Sequence, residues 1–205
     1  MTHQGHVRVG LRMQTLTVAM LAGLAFPGQA SAHIIGVHGM GFAGGFMHPF
    51  TGYDHLLAMT AVGFWAARLG GRAIWMLPSA FLSSAAMACL LAIGGGGSVP
   101  VMEGGIAVSL LALGMLIAME SRPGLWPAVS LVAVFGLFHG YAHGVEMPYA
   151  TSPLGYAAGF LLATATLHAI GVTMGMWTLR HAPRLWPRLA GLAVALPGLV
   201  LLVMG

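Results

Sequence analysis

A succession of long apolar segments, separated by short connections, limits what this chain can fold into. Six such segments follow residue 50, at about 52–67, 73–93, 101–119, 125–143, 154–179 and 186–204. Each approaches the roughly 20 residues that a helix needs to cross about 30 Å of hydrocarbon, and a helix satisfies its own backbone in lipid. Transmembrane strands are shorter and alternate in polarity. The sequence therefore predicts an all-α polytopic membrane protein with six transmembrane helices.

The composition excludes several other classes of protein. Of the 205 residues, 58% are hydrophobic and 6% are charged, whereas a soluble domain carries about a quarter charged residues. A secreted disulfide scaffold is excluded because Cys89 is the one cysteine. The pI near 10.0 does not indicate nucleic-acid binding, because the chain has no lysine and its eight arginines are scattered between apolar segments.

The N-terminal 32 residues are typical of a secretory signal. Arg8 and Arg12 precede the apolar stretch 16–26, and small residues at 30–32 match a cleavage site. We expect cleavage after Ala32, which would leave a signal peptide at 1–32 and one transmembrane domain at 33–205. The alternative is an uncleaved first helix, and in both cases His33 faces the outside.

The arginines predict the orientation of the six helices. They fall between the first and second, third and fourth, and fifth and sixth helices: Arg68, Arg72, Arg122, Arg180, Arg184 and Arg188. The connections at 94–100 and 141–153 contain none. Because cytoplasmic connections carry the excess of arginine, we expect the mature N-terminus in the periplasm. The topology also permits a three-plus-three inverted repeat.

The first cluster of candidate functional residues lies at the outer start of the first mature helix. His48, Asp54 and His55 supply two imidazoles and a carboxylate, a donor set that suits Ni²⁺, Co²⁺ or Zn²⁺. The alternative is a capping box from Thr51 to Asp54, in which the carboxylate satisfies backbone N–H groups. The two roles are compatible, because a carboxylate also offsets the positive end of the helix beside a cation.

The second cluster lies at the outer end of the fourth helix. His139 and His143 are four residues apart and share a helix face, and Glu146 follows three residues later. The spacing differs from the His-Glu-x-x-His motif of zinc proteases, whose general base is absent after His139. Both clusters lie on the same side of the membrane, so we predict that together they bind a metal ion.

Four further residues are lower-ranked candidates for binding the metal ion. His168, in the middle of the fifth helix, is either a second binding position for the ion or a histidine hydrogen-bonded to a neighbouring helix. Glu103, in the first turn of the third helix, is either a ligand at the rim or a carboxylate favoured by the helix dipole. His33 would combine a free α-amino group with its imidazole after cleavage, and His38 follows close behind.

The clusters occur within two longer motifs. They are His48-Pro49-x-x-Gly52-x-Asp54-His55-x-x-Ala58-Met59, followed by Val62-Gly63-x-Trp65-Ala66, and Phe138-His139-Gly140-x-Ala142-His143-Gly144-x-Glu146-x-Pro148. With these motifs the chain resembles the HupE/UreJ family of nickel permeases over essentially its whole mature length. The resemblance implies a permease of the bacterial inner membrane that brings Ni²⁺, or Co²⁺, from periplasm to cytoplasm for hydrogenase or urease maturation. It implies functional roles for the six residues of the two clusters.

We expect binding and passage of the ion without covalent chemistry, so the chain is predicted to be a transporter with no permanent cofactor. A phosphate-binding loop needs a lysine, which the chain lacks, so transport is passive or coupled to an ion gradient. Two alternatives stay open: a membrane-embedded metal-dependent hydrolase that uses the same His/Asp cluster, and a haem-binding electron carrier. The sequence leaves open the preference for Ni²⁺ or Co²⁺ and whether the protein forms a homo-oligomer.

Overall fold

Apolar helices make up most of what the computed structural model describes, which is residues 41–95, 101–148, 152–183 and 185–204. In chain order the helices are α1 (Gly41–Thr51), α2 (Tyr53–Leu69), α3 (Ala73–Ile93), α4 (Val101–Ala118), α5 (Leu125–Val145), α6 (Pro153–His181) and α7 (Leu185–Met204). These residues contain no strand, which confirms the all-α prediction. The predicted cleavage site at Ala32, together with His33 and His38, lies outside the described residues.

The described helices differ in their capacity to cross a bilayer. Five of them, α3 to α7, are long and apolar enough to do so. The 17 residues of α2 extend over about 26 Å at 1.5 Å per residue, slightly less than the hydrocarbon thickness. Five spans are therefore supported by length and composition, and the sixth stays a prediction.

The pattern of apolar segments did not indicate α1. This helix contains three glycines and a proline in 11 residues, a composition of low intrinsic helix propensity. It forms nonetheless, because Gly45 lets the backbone of α1 approach that of Tyr156 in α6 and such close packing outweighs propensity. Gly52, with extended backbone angles (φ −94°, ψ 113°), separates α1 from α2. His48 therefore lies on a different helix from Asp54 and His55.

Besides the contact of α1 with α6, glycines bring three pairs among α2 to α7 into close backbone contact. A Cβ atom would collide with the neighbouring helix at Gly63 and Gly171 (α2 with α6), at Gly136, Gly140 and Gly144 (α3 with α5), and at Gly114, Gly191 and Gly198 (α4 with α7). If α2 is exchanged with α5, α3 with α6 and α4 with α7, the α2–α6 pair becomes the α5–α3 pair and the reverse, while α4–α7 stays the same pair. The same three contacts therefore remain after the exchange. Such an exchange is what a three-plus-three inverted repeat requires.

Ion pairs close the end of the bundle at which α2 terminates. Arg68 and Arg188 both contact the carboxylate of Glu120, at 3.4 and 3.0 Å. Beside them the buried Trp65 donates from Nε1 to the carbonyl oxygen of Ser121, at 3.4 Å. Both histidine clusters lie at the opposite end, where α2 begins and α5 terminates. The separation of these arginines from the two histidine clusters agrees with the predicted alternation of helix directions.

Candidate metal site

Three side chains at the histidine end form a group that we call the outer triad: His48 of α1, His143 of α5 and Glu146 just after α5. One donor atom from each lies within 4.8 Å of the other two, and His48 Nε2 is 2.8 Å from Glu146 Oε2. Adjacent ligands of an octahedral ion with bonds of about 2.1 Å are about 3.0 Å apart, so this pair already has a suitable spacing. The side chains of His48 and Glu146 are 20% and 50% exposed, so an ion can reach the triad from solvent.

Asp54 orients the imidazole of His55. Asp54 Oδ1 accepts hydrogen bonds from the backbone N–H of His55 at 2.8 Å and from its Nδ1 at 2.9 Å. Since a carboxylate can only accept here, the proton of the ring is on Nδ1 and the lone pair is on Nε2. The capping box itself does not form, because Gly52 caps α2 without a side-chain bond and Thr51 donates to the carbonyl of His48. Asp54 nevertheless accepts from one backbone N–H at the start of α2, as that alternative expected.

Ser109 holds the buried His139 in a comparable way. Ser109 Oγ lies 2.9 Å from His139 Nε2 and 2.7 Å from the carbonyl oxygen of Ile106. A hydroxyl has one proton, and donation to Ile106 leaves only lone pairs for the imidazole. His139 therefore carries its proton on Nε2 and a lone pair on Nδ1.

The third oriented imidazole is His168 of α6. Its Nδ1 donates to the carbonyl oxygen of Met59 in α2, at 2.8 Å, and Nε2 carries the lone pair. The sequence-based alternative, a histidine hydrogen-bonded to a neighbouring helix, is correct for this nitrogen. The bond is short because Gly63 and Gly171 let α2 and α6 approach at this level.

The histidines form a continuous series from the outer triad into the bundle. Ring centroids are separated by 4.8 Å between His48 and His143, 4.4 Å between His143 and His55, and 5.0 Å between His55 and His139. Phe81 packs against both His139 and His168, at 5.5 and 5.1 Å. The structure thus brings together His48, His55, His139, His143 and Glu146 of the two predicted clusters, places Asp54 behind His55, and adds His168 at the inner end.

Several of these imidazoles have a buried nitrogen without a partner. Within the described residues, the buried side-chain polar atoms that lack a hydrogen bond are the Tyr156 hydroxyl and five imidazole nitrogens: His55 Nε2, His139 Nδ1, both nitrogens of His143, and His168 Nε2. Buried polar atoms in folded proteins almost always have partners. Their concentration along one series of histidines makes this series the candidate metal site.

Glu103 is not among the residues that the histidine series brings together, and two polar residues of the site were not predicted from the sequence. Glu103 is exposed in the first turn of α4 and forms no hydrogen bond or ion pair in the described part of the chain, so its role at the rim stays a prediction. Ser109 and Tyr156 were not singled out in the sequence. Their signal was present, because each is a polar side chain within a long apolar segment.

Comparison with known proteins places these motifs in a family. A family model described as HupE / UreJ protein matches residues 18–201. The chain is similar to Protein HupE of Rhizobium leguminosarum bv. viciae, with 45% identity over 183 residues, which covers 89% of this chain and 95% of that protein. No solved structure matches. Both the family model and this relative cover most of the chain, so it belongs to the HupE/UreJ family.

Proposed function

We propose that this chain is a secondary permease that moves Ni²⁺, or Co²⁺, from the periplasm to the cytoplasm. The observation that carries the proposal is the series of imidazoles, oriented with free lone pairs, that starts at a half-exposed carboxylate and ends inside the bundle. Imidazole with a small share of carboxylate is a donor set for borderline divalent ions. Membership in a family of hydrogenase and urease accessory proteins agrees with transport of such an ion.

Capture of the ion begins at the outer triad. The charge of Glu146 attracts a hydrated cation, and the imidazoles of His48 and His143 replace some of its waters. His55 lies 4.4 Å from His143, centroid to centroid, so the ion gains a new nitrogen before it loses the previous one. Passage requires that no position hold the ion in a closed, fully coordinated site.

Release into the cytoplasm requires a movement of helices. Beyond His168, α2 and α6 are in backbone contact at Gly63 and Gly171, and the ion pairs of Glu120 close the far end. Separation of α2 from α6 would break the bond between His168 and Met59 and open a way past it. Such a change is a form of alternating access, in which one half of the helices moves against the other.

The two alternative functions are less compatible with the geometry. A haem needs room for its macrocycle between two axial imidazoles, whereas here the rings of neighbouring histidines lie within 4.4–5.0 Å, edge to face. A metal-dependent hydrolase needs an acid–base group beside the metal-bound water. Glu146 is the carboxylate of the outer triad, where the proposal uses it as a ligand and leaves no second carboxylate in the triad for acid–base work.

The proposal includes the cellular setting. The mature chain would cross the bacterial inner membrane six times, with its N-terminus in the periplasm after cleavage at Ala32. His33 and His38 would then lie on the side from which the ion enters. The protein would deliver the ion to maturation of a hydrogenase or urease, without a permanent cofactor.

Accumulation of radiolabelled nickel and cobalt in expressing cells tests the proposal. We expect His55→Ala to reduce uptake to the level of cells without the protein, because it interrupts the series between His143 and His139. His181→Ala is the matched control, since this exposed histidine lies at the other end of α6 and bonds the carbonyl of Trp177. Equal accumulation by wild type and His55→Ala, at equal protein abundance, would contradict the proposed path.

A further inference from the structure

The connection between α4 and α5 contains a glutamate in a backbone conformation that usually belongs to glycine. We propose that Glu120 is a gating residue, whose ion pair with Arg68 is a latch that keeps the inner end of α2, the end opposite the outer triad, closed until the ion is released. This inference deepens the proposed function and rests on it, because it names the contact that opens for release.

Glu120 occupies the left-handed position of a Schellman motif, in which two backbone N–H groups beyond a helix bond back to its last turn. The N–H of Glu120 donates to the carbonyl of Ile117 at 3.0 Å, and that of Ser121 donates to the carbonyl of Leu116 at 2.9 Å. Glycine is usual at this position, because a Cβ atom strains the left-handed backbone. With a φ of 53°, Glu120 is the one non-glycine residue of positive φ in the described part of the chain. A carboxylate at this position points to a role beyond ending α4.

The carboxylate of Glu120 is anchored on α4 and α7. A Cβ atom on Gly191 of α7 would collide with the backbone of Ala118, two residues before Glu120, so the two helices are in close contact beside it. Arg188, near the start of α7, donates from Nε to Glu120 Oε1 at 3.0 Å. Glu120 therefore has a fixed place relative to both helices, and Arg188 is a positioning residue.

Two side chains attach α2 to this anchor. Arg68 Nη2 lies 3.4 Å from Glu120 Oε2. The buried Trp65 donates from Nε1 to the carbonyl oxygen of Ser121, also at 3.4 Å. The same helix supplies the backbone carbonyl that holds the innermost histidine of the series. Separation of α2 from the anchor requires both bonds to open, and it also displaces that carbonyl.

The latch is weak enough to open during transport. The side chains of Arg68, Glu120 and Arg188 are 15%, 31% and 62% exposed, and ion pairs that water reaches change an equilibrium constant by up to about fivefold. The contact of Arg68 with the carboxylate is longer than that of Arg188, at 3.4 against 3.0 Å. We therefore assign the opening contact to Arg68, while Arg188 keeps the carboxylate in place.

Cysteine modification of the full-length protein in lipid nanodiscs, where a reagent reaches both sides of the bilayer, measures the opening. The reporter is Ala67→Cys, at a buried position of α2, and the native buried Cys89 of α3 is the internal control. We expect Arg68→Gln and Glu120→Gln to speed modification of residue 67 roughly two- to fivefold and to leave Cys89 unchanged. The two variants change the local charge in opposite directions, so a common increase does not come from ionisation of the thiol. Arg122→Gln, which removes an exposed arginine without an ion pair in the described residues, should match wild type.

Glu120→Gly separates the latch from the stability of the fold. Glycine adopts the left-handed backbone without strain, so this variant should unfold at a higher temperature than Glu120→Gln and still expose residue 67 to the same extent. Hydrogen exchange of residues 62–69, measured without the reporter cysteine, should be faster in both variants than in wild type.

Protection of residue 67 and of the amides at 62–69 in Glu120→Gly, as in wild type, would overturn the latch. Equal exposure of Cys89 and residue 67 would overturn it as well, because it would indicate general loosening. Neither measurement involves transport. A latch that opens as expected in a protein without nickel uptake would refute the permease alone, and uptake by a protein whose variants stay closed would refute the latch alone.

Discussion

Glu146→Gln isolates the contribution of charge to ion capture. The substitution preserves the shape of the side chain and removes the one charge among the three donors of the outer triad. Because the carboxylate is half exposed, the dielectric constant of water gives the smallest estimate of its attraction for the ion: about 2 kcal/mol for a divalent cation 4 Å away. Since 1.4 kcal/mol is a factor of ten, the concentration for half-maximal uptake should rise at least about 30-fold.

The assay is initial-rate uptake of radiolabelled nickel by proteoliposomes over a range of nickel concentrations. The maximal rate should stay close to that of wild type, because His55, His139 and His168 are unchanged. Glu146→Asp, which keeps the charge on a shorter side chain, should have an intermediate half-saturation concentration, and added salt should narrow the difference between wild type and Glu146→Gln. An unchanged half-saturation concentration, or a loss confined to the maximal rate, would refute a capture role for Glu146.

Three further predictions concern orientation, packing and protons. Asp54→Asn should weaken Co²⁺ binding roughly 10- to 100-fold in spectroscopic titrations, because the proton of His55 is no longer held on Nδ1; binding equal to wild type would count against this role. Gly63→Ala should lower the free energy of unfolding by about 1–3 kcal/mol in thermal melts, because its Cβ meets the His168 carbonyl. Gly104→Ala, which has open space around it, is the control and should be neutral or stabilising. Uptake should fall as the external pH drops from about 7.5 to about 5.5, because protons compete with the metal for imidazole; a flat profile would argue against imidazole ligation.

Much of the site could be predicted from the sequence because histidine and carboxylate side chains are rare and costly in a membrane. Spacing alone put His139 and His143 on one helix face, and the structure places both on the buried side of α5. The sequence also predicted that the His48/Asp54/His55 cluster and the His139/His143/Glu146 cluster meet. The edge-to-face contact of His55 with His143 joins a residue of α2 to a residue of α5, and no local pattern specifies it.

The partners of the imidazoles could not be predicted in the same way. Ser109 is an ordinary serine in an apolar segment, and its bond to His139 connects residues 30 positions apart. The bond from His168 to Met59 connects residues 109 positions apart and uses a backbone carbonyl, for which the sequence has no marker. Only the close approach of α2 and α6 at Gly63 brings these atoms together.

The sequence by itself determined the helical class, the membrane environment and the residue types that can bind a metal, because these follow from the length of apolar segments and from the cost of burying polar groups. The tertiary structure decided that His48 lies on a separate helix, which nitrogen of each imidazole is free, and in what order the histidines follow one another. Those properties depend on distances between helices, and glycine contacts far apart in the chain set those distances.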